Sequence, residues 1–288
     1  MKTAIMTDTN SGITLKKGEE DGIFVLPMPV IIDDKDYLEG IDVTHSDLYE
    51  AMRKGLDIHS SQPAIGAVSE MWDKILKQGY DELVYIPMSS GLSGSCATAM
   101  AFSKNYNGKV QVADNHRISL SLYESVYDAK AYADSGLSAK EIKEKLEKNA
   151  YNASIYITVN SLEYLKKSGR VTSAGAAIAT VINLKPVLTI QGEKLDAFAK
   201  VRGINNAKQK MVEALTKDLE TRFKSYPKEK LSIGTAGTFE KSEDADAWLD
   251  MINDAFPEYD SYYLPLSCSI ACHVGIDSIG TAIVVKDR

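Results

Sequence analysis

The sequence predicts an α/β protein made of two domains with largely parallel sheets. Short runs of β-branched residues alternate with helical patterns almost from end to end, which is typical of parallel α/β proteins. The length of 288 residues suits two ordinary domains or one large one. Hydrophobic residues make up 44% of the chain and charged residues 25%, which are globular values that provide a sizeable core.

The first half of the chain alternates strands and helices regularly, and the first domain is predicted to be residues 1–158. Short β-branched runs predict strands over 3–7, 24–32, 82–87, 109–113 and 153–159. Apolar residues at helical spacing predict helices over 46–54, 66–78, 95–105, 119–133 and 139–149. Ser138 and Glu141 form a capping-box pattern at the start of the last of these helices.

The second half repeats this alternation less regularly, and the second domain is predicted to be residues 159–288. Helices are predicted over 174–182, where small residues dominate, and over 204–223 and 243–255. Strands are predicted over 186–190, 194–198, 231–235, 259–264 and 281–285. No internal repeat or flexible linker marks the boundary between the halves.

Charge and hydropathy exclude two classes of partner. The formal net charge is -7 and there is no long basic stretch, which argues against nucleic acid and against adsorption to anionic membranes. Asp8 interrupts the apolar residues at the start, so no secretory signal is expected. The longest uncharged apolar stretch, 174–184, is far shorter than the ~20 residues of a membrane span. We therefore expect a cytoplasmic protein without stable membrane insertion.

Three cysteines, an odd and sparse count, favour a reducing compartment. Cys268 and Cys272 lie close to His273 in the sequence, but no second Cys or His pair completes a tetrahedral metal site. We therefore expect neither a metal site nor a cofactor. The remaining histidines are expected at the surface: His45, His59 and His116.

Hydroxyl-rich segments stand at the ends of several predicted strands. In an open parallel sheet, ligands bind outside the carboxyl ends of the strands, where such segments converge. Each segment alone is explained equally well by helix capping or a tight turn. Their recurrence favours a convergent polar binding site. The segments are residues 7–11, 60–63 and 89–95, and Asp114 with Ser119 and Ser121.

The Gly/Ser loop 89–95 is the sharpest of these segments. Ser93 lies in the turn between a predicted strand and a predicted helix, as in the nucleophile elbow of hydrolases. However, Gly91-Leu92-Ser93-Gly94-Ser95 misses the G-x-S-x-G spacing by one residue, and no histidine stands in a recognisable triad context. We therefore favour a binding role over a nucleophilic one, in which the loop and the helix N-terminus hydrogen-bond a carboxylate or phosphate. A serine-dependent acyl hydrolase or acyltransferase using Ser93 stays as the alternative.

Several blocks in chain order resemble the signature blocks of the DegV family, and the resemblance covers nearly the whole sequence. Each block alone is weak, whereas together they are specific. The blocks are Thr7-Asp8-Thr9, Ser60-Ser61-Gln62-Pro63, the Gly/Ser loop 89–95, the segment 162–171 that ends in Lys167-Ser168-Gly169-Arg170-Val171, Leu184-Lys185-Pro186-Val187-Leu188, and His273-Val274-Gly275.

The resemblance implies a fold that buries a long-chain fatty acid between its two domains and that is not itself an enzyme. In bacteria with a fatty acid kinase, such proteins present the acyl chain to a separate ATP-binding kinase subunit and carry the acyl phosphate away. It implies that the first serine of its block, Ser60, and Ser93 hold the carboxylate, and that Arg202 on the rim faces the kinase. The implied ligand-binding residues are Ser60, Ser61, Ser93, Gly94, Arg170 and His273.

The physical chemistry of a fatty acid is compatible with these residues. A buried carboxylate must be hydrogen-bonded or paired, and two hydroxyls, helix-terminal amides and Arg170 or His273 meet that need. Burial of ~0.8 kcal/mol per methylene makes a sixteen-carbon tail worth on the order of 10 kcal/mol before association costs. The small and branched residues 174–190 could line a tunnel, although we expect most of them in the core. A small polar carboxylated or phosphorylated metabolite is a further alternative.

Overall fold

A computed structural model describes residues 2–177 and 184–288 of the chain. Its strands are β1 (Thr3–Asp8), β2 (Phe24–Leu26), β3 (Pro29–Ile32), β4 (Lys35–Leu38), β5 (Ile58–Ser60), β6 (Glu82–Ile86), β7 (Val110–Val112), β8 (Ala153–Thr158), β9 (Leu184–Ile190), β10 (Asp196–Arg202), β11 (Leu231–Gly237), β12 (Ser261–Pro265) and β13 (Ile279–Val285). Its α-helices are α1 (Leu15–Asp21), α2 (His45–Arg53), α3 (Ile65–Lys77), α4 (Ser95–Ser103), α5 (Ser119–Asp134), α6 (Ala139–Lys148), α7 (Glu163–Ser168), α8 (Ser173–Ala177), α9 (Ile204–Glu220), α10 (Ser242–Ala255) and α11 (Cys268–Val274).

The first sheet has the order β2-β1-β6-β7, and all of its strands are parallel, as predicted. Every residue of β1 is buried, as expected for a parallel strand covered on both faces. Trp72 of α3 packs edge-on against Tyr85 of β6, with 6.1 Å between ring centroids. The capping box predicted at Ser138 and Glu141 is confirmed at the start of α6.

The second sheet has the order β10-β9-β8-β13-β11-β12, and only its β11–β12 pair is parallel. The α/β class is confirmed, and parallel pairing holds for the first sheet, whereas the second sheet is mostly antiparallel. One reason is that the last strand, β13, inserts between β8 and β11 and pairs antiparallel with both. Another is the short connection between β9 and β10. β9 and β10 are joined by the turn 191–195, which is too short for the crossover that parallel neighbours need.

The single strand predicted over 24–32 is wrong, because the chain breaks it into β2 and β3. Pro27 and Pro29 stand at the break, and a proline has no N–H to donate to a sheet ladder. β3 joins a third, antiparallel sheet of order β4-β3-β5. This small sheet and α2 share a hydrophobic core with Cys268, Ala271 and Cys272 of α11.

Helix α5 connects the two large sheets, because it contacts β1 on one side and β11 and β13 on the other. β8, which the predicted boundary at 158/159 assigns to the first half, pairs with β9 and β13 of the second sheet. The division into 1–158 and 159–288 itself stays a prediction. Within the described ranges, no helix combines the length and the apolar character that crossing a membrane requires.

Candidate functional site

An apolar cavity lies between the loops at the carboxyl ends of the parallel sheet and the face of the second sheet. Its empty volume, which includes open solvent at the mouth, is about 690 Å³. Its lining consists of Met88, Leu92, Ile118, Ser119, Leu120, Ile155, Ile157, Arg170, Ile190, Leu195, Ala236, Leu266, Ser269, Ile270, His273, Val274, Gly280 and Thr281. Most of these residues are aliphatic, so the cavity favours an apolar ligand.

A polar cluster of Ser60, Arg170 and His273 lies at the cavity: Arg170 and His273 line it, and Ser60 contacts His273. His273 lies in the last turn of α11, and its Nε2 is 2.8 Å from the Ser60 Oγ at the end of β5. Arg170 donates from Nη1 to the Ser168 carbonyl and from Nε to the Leu92 carbonyl at 3.4 Å. The cluster therefore joins a serine, an imidazole and a guanidinium at the surface of an apolar cavity.

The electrostatics of His273 are set by burial and by Arg170. Burial of the imidazole, and secondly the positive charge of Arg170, lower the pKa of His273 from 6.5 to about 4. His273 is therefore neutral near neutral pH, with one ring nitrogen donating and the other accepting. Its Nδ1 is buried and has no hydrogen-bond partner among the described residues. A buried polar atom in this state fits a hydrogen bond to a ligand.

The Gly/Ser loop is fixed against the β9–β10 turn. The Ser89 Oγ donates to the Gly192 carbonyl. A Cβ added at Gly91 would lie 2.8 Å from that same carbonyl oxygen and 2.8 Å from the Glu193 Cα, so only glycine fits there. The loop thus closes onto the second sheet and presents Leu92 to the cavity.

The structure brings only some of the predicted ligand residues to the cavity. Arg170 and His273 line it, and Ser60 contacts His273. Ser61 is half-buried, and its N–H donates to the Pro29 carbonyl at 3.4 Å. These positions place the start of the Ser-Gln-Pro block next to α11.

Ser93 and Gly94 lie beside the cavity without lining it. The half-buried Ser93 accepts a hydrogen bond at Oγ from the Ser95 N–H, 3.2 Å away, at the start of α4. A Cβ added at Gly94 would lie 3.2 Å from the Gln62 Oε1, so the Gly/Ser loop touches the Ser-Gln-Pro block. Arg202 is exposed at the end of the edge strand β10, away from the cavity lining.

Sequence reasoning missed part of the lining. Ile155 and Ile157 alternate on β8, a predicted strand, so period-2 alternation could have placed them on one face. Ser269 and Ile270 were missed because α11 was not predicted as a helix. Ser267 is its N-cap and accepts from the Ile270 N–H at 3.1 Å, which is the signal that could have found it.

Of the small and branched residues 174–190, Ile190 lines the cavity, while Val187 and Leu188 belong to hydrophobic cores. The predicted helix over 174–182 is present as α8 up to Ala177, and its remainder lies outside the described residues. The expected surface position holds for His59, whereas His45 and His116 are half-buried.

The fold and the cavity together define an α/β protein with an apolar site that has a polar cluster beside it. A family profile described as "Uncharacterised protein, DegV family" matches residues 2–286. The chain belongs to the DegV family.

Curated relatives and solved structures agree with this assignment over the full length. A DegV domain-containing protein of Staphylococcus aureus strain N315 is 26% identical, with 99% of each chain covered. A DegV family protein from Thermus thermophilus, described by its fatty acid binding, has a TM-score of 0.87 at 23% identity, with 99% of this chain and 100% of that chain covered. DegV of Bacillus subtilis, described as a fatty acid binding protein, has a TM-score of 0.85 at 24% identity, with the same coverage. A stearic acid-binding protein from Eubacterium ventriosum has a TM-score of 0.88 at 20% identity, with 99% and 98% covered. At these identities the structures show the shared fold.

Proposed function

We propose that this chain binds a long-chain fatty acid in the cavity, with the carboxylate at the Ser60–Arg170–His273 cluster, and presents it to a separate fatty acid kinase subunit. The observation that carries this proposal is an aliphatic cavity lined also by a guanidinium and by a buried imidazole nitrogen that has no hydrogen-bond partner in the described part of the chain. The fatty acid binding described for DegV relatives of the same fold supports the same ligand class.

The carboxylate would find a charge and several donors at the cluster. Arg170 supplies a positive charge and N–H donors, which make charge-assisted hydrogen bonds with carboxylates. His273 in its Nδ1–H tautomer donates to the ligand while its Nε2 accepts from Ser60. Ser93 uses its oxygen as an acceptor for the Ser95 N–H, so its hydroxyl proton is left for a ligand. This set offsets the cost of removing a carboxylate from water.

The acyl tail would fill the aliphatic part of the channel. Ile155, Ile157 and Ile190 of the second sheet line the cavity together with Ile270 and Val274 of α11. Each buried methylene contributes ~0.8 kcal/mol, so tail length sets most of the affinity. The protein would carry either the fatty acid or its acyl phosphate, since both share this tail.

The geometry favours binding over catalysis by this chain. Ser60 and His273 are in nucleophile–base contact, but a histidine whose pKa is lowered to about 4 is a weak base at neutral pH. A catalytic histidine also needs an orienting partner at its second nitrogen, and the His273 Nδ1 has none within the described ranges. The Ser93 Oγ accepts a hydrogen bond from the Ser95 backbone N–H, and this contact does not activate the hydroxyl as a nucleophile.

Binding can be tested by competition between palmitate and its methyl ester for a fluorescent fatty acid analogue. We expect palmitate to bind more tightly, because the ester lacks the charge that Arg170 pairs with. Arg170→Gln should weaken palmitate by roughly 10–100-fold, the cost of a hydrogen bond to a charged group. Equal binding of acid and ester, or an Arg170→Gln variant that binds like the wild type, would contradict the proposed head-group site.

Presentation to a kinase has its own test. We expect a purified ATP-binding kinase subunit to phosphorylate the fatty acid only when it is bound to this chain. Arg202→Gln should slow that transfer and leave palmitate binding unchanged, because Arg202 is exposed and is not among the residues that line the cavity. Equal phosphorylation with and without the chain would contradict the presenting role, even if fatty acid binding were confirmed.

A further inference from the structure

A second cavity, on the other side of α11, contains a cluster of three metal-binding side chains. Its empty volume is about 770 Å³ including the mouth. Glu39, His45 and Cys268 line it, and one carboxylate, one imidazole and one thiol ligand atom all lie within 4.8 Å of one another. Glu39 and Cys268 are buried and His45 is half-buried, so this is not a chance group of surface carboxylates.

Hydrogen bonds already orient two of these side chains, His45 and Glu39. His45 Nε2 lies 2.8 Å from the Leu266 carbonyl oxygen. A carbonyl only accepts, so Nε2 carries the proton and Nδ1 keeps its lone pair for a ligand bond. Metal-binding histidines typically donate their second N–H to a backbone carbonyl or carboxylate in this way.

The Glu39 carboxylate is held from two sides. Its Oε2 accepts from the Thr9 hydroxyl at 2.6 Å, and its Oε1 accepts from the Cys268 N–H at 2.6 Å. An ionised carboxylate has about four lone-pair positions, so both oxygens can still bind a cation. Ligating carboxylates in metal sites are commonly hydrogen-bonded in this manner.

We infer that Glu39, His45 and Cys268 bind a zinc ion, with the fourth position open to the second cavity. One nitrogen, one oxygen and one sulfur ligand suit Zn²⁺, and three protein ligands with an open position is an established zinc arrangement. Ligand atoms around tetrahedral zinc lie roughly 3.4–3.6 Å apart, so zinc binding requires these groups to move closer by no more than about 1 Å. On binding, the Cys268 thiol releases its proton to solvent and the thiolate bonds to the metal.

The sequence alone pointed away from this site. It placed Cys268 beside Cys272 and His273, and these do not complete a metal site. The fold instead brings Cys268 to Glu39 and to His45, the first residue of α2, because α11 packs against the small sheet and α2. Cys272 and His273 lie on the same helix outside the cluster.

The zinc ion would join the residue after β4 and the start of α2 to α11, whose other side lines the first cavity through Ile270 and His273. Because a ligand that binds only the folded state stabilises it, zinc should raise the melting temperature of the protein. This effect does not depend on the fatty acid, so the metal site and the proposed function can fail separately.

The test is titration of chelator-treated full-length protein with Zn²⁺ by calorimetry and with Co²⁺ by absorption. We expect one zinc per chain and a cobalt–thiolate charge-transfer band. Cys268→Ser and His45→Gln should each weaken zinc at least about 100-fold, since even the loss of a group supporting a ligand costs 10–100-fold. The matched controls are Cys272→Ser, a buried cysteine on the same helix, and His59→Gln, an exposed histidine; both should bind like the wild type.

Circular dichroism establishes whether each variant is folded. If Cys268→Ser does not fold, His45→Gln still tests the site. The melting temperature should rise with zinc in the wild type and both controls, but not in His45→Gln. Absence of zinc uptake at micromolar concentrations, or uptake that persists unchanged in both His45→Gln and Cys268→Ser, would overturn the site.

Discussion

The lowered pKa of His273 makes a quantitative prediction for the variant His273→Gln. In the folded protein the imidazole has a pKa of about 4, against 6.5 for an ordinary histidine. Between these values the unfolded chain binds the proton and the folded protein does not, so His273 destabilises the folded state as the pH falls. Glutamine keeps a hydrogen-bonding side chain near Ser60 but does not titrate.

The magnitude follows from the size of the shift. At 1.36 kcal/mol per pKa unit, the contribution of His273 changes by about 3 kcal/mol in total, mostly between pH 4 and 6.5. The free energy of unfolding of the wild type minus that of His273→Gln should therefore rise with pH by this amount and level off above pH 6.5. Asp8, whose burial raises its pKa to about 6, acts with the opposite sign but is common to both proteins and cancels.

Urea unfolding at several pH values measures this difference. Ile270→Val is the matched control, because it changes the same helix and cavity without a titrating group. Ile270→Val should lower the free energy of unfolding by about 0.5–1.5 kcal/mol, and this loss should not vary with pH. A wild type minus His273→Gln difference that stays constant from pH 4 to 7.5 would refute the account of a buried, neutral imidazole beside Arg170.

Three further predictions concern the loop serines, the tail channel and the loop contact. Ser93→Ala should weaken carboxylate binding by roughly 10-fold or more, and Ser60→Ala by less, in the competition assay; wild-type affinity in either variant would count against its role. Ala236→Leu adds three carbons to the channel wall and should weaken palmitate roughly 50-fold by excluding about three methylenes, and unchanged affinity would contradict the tail position. At Gly192, φ is +89° and an added Cβ would lie 2.9 Å from His116 and from Tyr151, whereas Gly136 has a φ of +90° in open space. Gly192→Ala should therefore lower the melting temperature more than Gly136→Ala does. Equal losses in the two glycine variants would contradict the tight contact.

The sequence predicted most of the helices and strands because local patterns determine them. β1, β6 and α6 have strong apolar periods or caps, and the structure places them close to the predicted ranges. Local sequence patterns do not determine which strands pair. β13, the last strand, inserts between β8 and β11, and that long-range choice makes the second sheet mostly antiparallel.

The sequence predicted only part of the candidate site, because the site also depends on contacts between residues far apart in the chain. His273 and Arg170 belong to recognisable blocks and do line the cavity. The tail channel is formed by residues far apart in the chain, such as Ile157 and Ile270. Aliphatic side chains line channels and fill hydrophobic cores alike, so the sequence does not tell the two apart. The cluster around Cys268 was missed in the same way, because its partners come from residues 39–45.

Mass spectrometry of the purified protein, first under native conditions and then after denaturing organic extraction, tests the central claim most directly. The account predicts one fatty acid per chain, retained in the native spectrum and released on extraction. An empty protein whose melting temperature also does not respond to added fatty acids would contradict the proposed function and leave the fold unaffected.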